Sequence, residues 1–106
     1  MIHQIEQDGV HKEVVLNSKR LMLLDVYADW CIPCEMQLPV LHELDKKYRD
    51  LEIYKLNADE SQSFTTLNSI TSIPTMILYK DGEEKERLVG LNSLDTLSEL
   101  IDEYLE

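Results

Sequence analysis

The chain has 106 residues, 43% of them hydrophobic, with three glycines, three prolines and two cysteines. That length suits one domain spanning residues 1–106, and that apolar content can fill a single packed core, so collagen-like, low-complexity and long disordered classes are set aside. Ten Lys and Arg against twenty-one Asp and Glu leave a formal charge of −11, which argues against a phosphate-tracking nucleic-acid surface and against docking on anionic membranes.

The acidic surplus reads as solubility or as a docking face for basic partners. Met1 to Gly9 is polar and holds Glu6 and Asp8 where a signal peptide needs an apolar centre. The longest apolar run, Leu21 to Leu24, is far too short to span a bilayer. A cytoplasmic, monomeric protein is expected.

In chain order, His3 to Glu6 reads as a short edge strand and Val10 to Ser18 as a weak helix. Leu21 to Ala28 (Leu-Met-Leu-Leu-Asp-Val-Tyr-Ala) is apolar nearly throughout, as in a strand buried on both faces inside an α/β sheet. Only Asp25 interrupts it. A helix follows to about Arg49, with Leu38, Leu41, Leu44 and Tyr48 on one face. Pro33 fits its first turn, and Pro39 is expected to kink it. Leu51 to Asn57 reads as a strand, Ser61 to Asn68 as a short helix, and Thr75 to Tyr79 as a strong strand. Asp81-Gly82 marks a hairpin turn into Glu84 to Val89. Ser93 reads as the N-cap of a last helix whose inward stripe is Leu94, Leu97, Ile101 and Tyr104. The order β-α-β-α-β-α-β-β-α predicts parallel strands with helices on both faces, closed by an antiparallel pair.

The chemical signal is Trp30-Cys31-Ile32-Pro33-Cys34, set between a buried-type strand and a helix. A helix N-terminus carries partial positive charge and unpaired N–H groups, so a thiolate there is stabilised and becomes nucleophilic near neutral pH. Cys31, expected to be the more exposed, would attack a substrate disulfide, and Cys34, one turn in, would resolve the mixed disulfide. Two other readings compete: a pair of small buried hydrophobes, and a zinc site. Zinc needs further ligands, and His3, His11 and His42 supply no matching second pair. No metal and no cofactor beyond the cysteine pair are expected.

Asp25 precedes Cys31 by six positions. A carboxylate in a buried strand is costly unless paired or protonated, so a raised pKa and a proton-transfer role for Cys34 are expected, against the alternative of a solvent-facing strand-end residue. Lys55 is either its charge partner from the neighbouring strand or an ordinary exposed lysine. Ile73-Pro74-Thr75 opens a strand, where proline is allowed in either isomer.

Together these residues resemble the thioredoxin family over nearly the whole chain, most strongly from Leu21 to Gly90. Leu-Asp-Val-Tyr-Ala-Asp-Trp-Cys-Ile-Pro-Cys is similar to its strand-to-active-site block, Ser-Ile-Pro-Thr to its cis-proline loop, Lys-Asp-Gly-Glu to its hairpin, and Val-Gly-Leu to its active-site glycine. The resemblance implies an α/β thioredoxin fold: a central mixed five-stranded sheet of order 1-3-2-4-5 flanked by four helices. It implies protein-disulfide reduction with Cys31 as nucleophile, Cys34 as resolving thiol, Asp25 as buried acid and Lys55 beside it. Pro74 would be cis. Trp30, Ile32, Pro33, Ile73, Pro74 and Gly90 would face the substrate, which would add as a strand along the Ile73 backbone. Thioredoxin reductase and oxidised proteins are the implied partners.

Three positions depart from the family pattern. Ile32 replaces the usual glycine and stiffens the loop with an apolar bump. Glu35 replaces a common lysine, and its charge disfavours a nearby thiolate. Tyr27 stands where tryptophan is frequent. Two alternative functions remain at this point: a specialised reductant of the extracytoplasmic type with a dedicated partner, and a redox-inactive binding module. An oxidase or isomerase is less favoured, because Pro33 occupies a position where those relatives often carry histidine.

Overall fold

The computed structural model describes residues 1–105. The first half runs β1 (Ile2–Ile5), α1 (Gly9–Leu16), β2 (Met22–Tyr27), α2 (Ile32–Lys47) and β3 (Glu52–Asn57). The second runs α3 (Gln62–Leu67), β4 (Thr75–Lys80), β5 (Glu83–Val89) and α4 (Leu94–Leu105). The strands form one sheet of order β1-β3-β2-β4-β5, as expected. The first three positions are parallel, while β4 runs antiparallel to β2 and β5 antiparallel to β4.

Strand alternation sends Leu23, Asp25 and Tyr27 to one face of β2 and Met22, Leu24 and Val26 to the other. On the first face Leu23, Ile53, Met76 and Leu78 pack under Leu41 and Leu44 of α2 and Leu97 and Ile101 of α4. On the second, Leu24, Val26, Leu56 and Ile77 pack under Val10 and Val14 of α1, with Phe64 of α3 at the margin. Helices therefore cover both sides of β2, which is why its sequence is apolar without alternation. Each fully buried Leu or Ile stabilises the fold by about 1.5–3 kcal/mol.

The hairpin between β4 and β5 turns on Asp81 and Gly82, whose φ values are 56° and 78°. Both central residues of a two-residue hairpin turn need positive φ to match the strand twist; glycine adopts it freely and aspartate tolerates it. Ser93 caps α4 as expected, its hydroxyl accepting from the Thr96 N–H at 3.1 Å. Helix α2 starts at Ile32, so Cys31 caps it from outside while Cys34 lies in its first turn. Pro39 lies inside α2 on its exposed side, and the helix continues past it to Lys47.

Candidate active site

The site forms where β2 ends and α2 begins. Cys31 is the N-cap of α2, in extended backbone at φ −94° and ψ 110°, and Pro33 occupies the first turn, where no N–H is needed. The Cys31 Sγ accepts the backbone N–H of Cys34 at 3.2 Å. The two cysteines are joined in a disulfide with Cα atoms 5.2 Å apart. The sulfur thus occupies the place that a serine or aspartate oxygen fills at ordinary helix starts, and there it meets the positive end of a sixteen-residue helix.

Against the sequence expectation, Cys31 is not the more exposed of the two: Cys31 and Cys34 are 4% and 5% exposed, because neighbouring side chains cover both. Ala28 packs against both, with Tyr27 and Ile73 at the edge of the same cluster. What separates the two cysteines is position: Cys31 alone receives the capping hydrogen bond, and Cys34 alone lies inside the helical turn.

Asp25 is 1% exposed, and neither of its oxygens has a hydrogen-bond partner. Burial pushes its pKa from 3.8 up to about 6, with the Lys55 charge pulling the other way. The net direction is upward, so loss of water outweighs the attraction. Asp25 lies on the β2 face that α2 covers, one pleat closer to the cysteines than Leu23.

Lys55 stands directly across from Asp25 in the β2–β3 register. Its ammonium, however, sits 4.0 Å above the centroid of the Tyr27 ring, and no hydrogen bond joins it to Asp25. Lys55 therefore reaches Asp25 as a field rather than as a contact. Tyr27 receives this cation–π contact and donates its own hydroxyl to Gln4 at 3.1 Å.

Opposite the disulfide, the Ile73–Pro74 peptide is cis and Ile73 is half-buried. The Pro74 carbonyl accepts from the Gly90 N–H at 2.8 Å, tying the loop to the end of β5. Gly90 has φ 87°, a region where a side chain is strained. Around this cleft Trp30 is 70% exposed and Ile32 68%, a large apolar allowance for so acidic a chain. Of the residues expected to face a substrate, Trp30, Ile32 and Pro33 are exposed, Ile73 and Gly90 are half-buried, and Pro74 is buried.

Other contributors were not anticipated. The Trp30 indole N–H donates to Asp59 at 2.8 Å, which fixes the ring over the β3–α3 loop. Val89, Leu91 and Met36 are exposed apolar residues near the same end of the sheet. Gln37, fully buried on α2, clamps the backbone of Asn92: its amide donates to the Asn92 carbonyl at 2.9 Å and its oxygen accepts the Asn92 N–H at 2.8 Å. That clamp joins the cysteine-bearing helix to the loop that follows Gly90. A buried glutamine one position from an exposed methionine carries no sequence signal, since its partner lies 55 residues away. Replacing Gln37 with leucine leaves both Asn92 backbone groups unpaired. The expected loss is about 2–3 kcal/mol of stability, read from the shift in urea midpoint; an unchanged midpoint would show that the clamp holds nothing.

Among the described residues no three His, Cys, Asp or Glu side chains gather as a metal site. Among the described residues no helix is long and apolar enough to cross a membrane either.

A family model described as Thioredoxin matches residues 2–103. The chain belongs to the thioredoxin family. It is similar to the thioredoxin of Chlamydia trachomatis, 44% identical over 104 residues that cover 98% of this chain and 99% of that one. It is also similar to the chloroplastic M-type thioredoxin of Pisum sativum, 40% identical over 96% of this chain, although it spans only 60% of that relative's length. Among solved structures, a mutant thioredoxin from Halobacterium salinarum superposes with a TM-score of 0.88 at 34% identity, covering 99% of this chain and 91% of that one. The thioredoxin fold and the Cys31–Cys34 disulfide within a Trp-Cys-x-x-Cys motif fit thiol–disulfide oxidoreductase activity.

Proposed function

We propose that this chain is a protein-disulfide reductase of the thioredoxin type. The observation that carries the reading is the redox pair itself: Cys31 Sγ held as the N-cap acceptor of α2 and bonded to Cys34 one turn on. Starting from the dithiol, the Cys31 thiolate attacks one sulfur of a substrate disulfide; a mixed disulfide forms and the other substrate sulfur leaves as thiolate. Cys34 then loses its proton to the Asp25 carboxylate and attacks the Cys31 sulfur. The Cys31–Cys34 bond forms, the second substrate thiolate leaves, and both product thiolates take up protons. Two electrons pass from the cysteine pair to the substrate. With a pKa of about 6, Asp25 is mostly deprotonated at neutral pH and able to accept that proton.

Trp30, Ile32, Pro33, Ile73, Pro74 and Gly90 form the substrate-facing surface in this reading. Lys55 tunes Asp25 through its field. The pair needs no cofactor beyond its own sulfur atoms. The partners are oxidised proteins and a thioredoxin reductase that restores the dithiol, with the chain acting as a cytoplasmic monomer. Reduction of insulin disulfides with dithiothreitol as electron source tests the activity. The native chain is expected to precipitate the insulin B chain rapidly, and Cys31→Ser to match the dithiothreitol blank. Equal kinetics for both proteins would leave a binding module instead.

A further inference from the structure

The surface around the disulfide carries charge of one sign. Segments 28–37, 57–75 and 88–93 supply the strand ends and loops around Cys31, and they hold Asp29, Glu35, Asp59 and Glu60 with no Lys, Arg or His. All four carboxylate residues are exposed. Hydrogen bonds gather three of them beside Trp30. Asp59 accepts the indole N–H at 2.8 Å, and the Asn57 amide donates to Asp29 at 3.5 Å. The Asn57 oxygen in turn accepts the backbone N–H groups of Asp59 and Glu60 at 2.9 and 3.4 Å. Glu35 stands on the other side, in the first turn of α2. Burial raises the pKa of the Tyr27 hydroxyl, and Asp29 and Glu60 add to it in the same direction.

Two cations on adjoining strands offer no relief. Lys55 is folded over the Tyr27 ring, and Arg87 is held by the Glu84 carboxylate at 2.8 and 3.0 Å and by the Asn68 carbonyl. Between the carboxylates lies apolar surface: Trp30 and Ile32, and a groove of about 250 Å³ lined in part by Trp30, Ala58, Asp59, Thr65 and Ile73. Apolar contact of this kind holds an extended segment without choosing its sequence, whereas the surrounding carboxylates choose its charge.

Resting on the reductase reading above, we infer that this site selects disulfides whose cysteines are flanked by Lys or Arg, with Asp29, Glu35, Asp59 and Glu60 as the selecting groups. A basic segment is drawn to the face and pairs with the carboxylates at the rim of the groove. An acidic segment meets four like charges and no cation to offset them. Because these carboxylates are exposed, the preference acts mainly on the encounter rate and is screened by salt, the Debye length being about 10 Å at 0.1 M and about 3 Å at 1 M.

Two peptides of one sequence, each closed by a single internal disulfide, test this when one carries Lys and the other Glu beside both cysteines. Second-order rates of reduction by the reduced protein are measured for each, with neutral hydroxyethyl disulfide as a third substrate. At low salt the Lys peptide is expected to react about tenfold faster than the Glu peptide, and the ratio to shrink to about twofold at 1 M salt. In Glu35→Lys/Glu60→Lys the low-salt ratio is expected to fall to about one or invert. Glu103→Lys, which changes charge on the exposed side of α4, is expected to keep it. Taking the ratio cancels any change in intrinsic thiolate reactivity, which the neutral substrate reports separately. Equal rates for the two peptides in the native protein, or a preference that survives the double reversal, would overturn the inference while the reductase reading stands. Failure to reduce all three substrates would remove both.

Discussion

Cys34→Ser is expected to complete the first sulfur exchange and stop there. The Cys31 thiolate can still attack a substrate disulfide and expel one substrate thiolate, but no second sulfur remains to displace the rest. A one-to-one covalent adduct should accumulate, visible by mass, while multiple turnover falls by about 10³-fold or more. The informative comparison is Cys31→Ser, which keeps the inner sulfur. Exposure cannot separate the two, since the residues are 4% and 5% exposed. If reactivity followed accessibility, both single variants would form adducts at similar rates. If it follows the helix terminus, only the variant retaining Cys31 will react readily, because that sulfur alone accepts the Cys34 N–H and sits at the positive end of α2. Comparable adduct formation by the two variants would sink the assignment of Cys31 as nucleophile.

The contrast explains what the sequence could and could not disclose. Position along a helix is a local property, and the Trp30–Cys34 run between an apolar strand and a helical pattern declares it. The same holds for the hairpin at Asp81-Gly82, where turn chemistry is written in two residues, and for the Ser93 cap. Asp25 was legible for a related reason: a lone carboxylate in a strand covered on both faces has no water to face. Exposure is different, because it depends on what the rest of the chain lays over a residue. Cys31 is covered by Ala28 and flanked by Ile73 from a distant loop. The Gln37–Asn92 clamp, the Asp59 contact to Trp30 and the swing of Lys55 onto Tyr27 likewise arise between segments far apart in the chain. Register fixed Lys55 opposite Asp25, yet a flexible four-carbon side chain is free to choose the ring over the carboxylate.

The buried carboxylate carries the other large expectation. Its folded pKa of about 6 lies above the unfolded value of 3.8, so the group favours folding only while it holds its proton. Below pH 3.8 both states are protonated and Asp25 costs nothing. As pH rises toward 6 the unfolded chain releases the proton and the folded chain retains it, so stability falls across that window. Above it the loss is complete, and a shift of about two units corresponds to about 3 kcal/mol. The substitution Asp25→Asn removes this cost and leaves a neutral amide whose unmet hydrogen bonds cost about 1 kcal/mol. The variant is expected to be more stable than the native chain by about 2 kcal/mol at about pH 7.5, or about 10 °C in melting temperature, and to lose that advantage at about pH 4. The same substitution removes the proton acceptor for Cys34, so resolution of the mixed disulfide should slow by about 10²-fold at neutral pH and lose its dependence on pH near 6. Urea midpoints at the two pH values and single-turnover rates measure both effects. A variant less stable than the native chain at the higher pH, or equally stabilised at both, would mean that Asp25 is solvated after all. A stabilised variant with native resolution kinetics would mean that the buried acid is strain without a catalytic return, because the Cys34 proton would then leave by another acceptor.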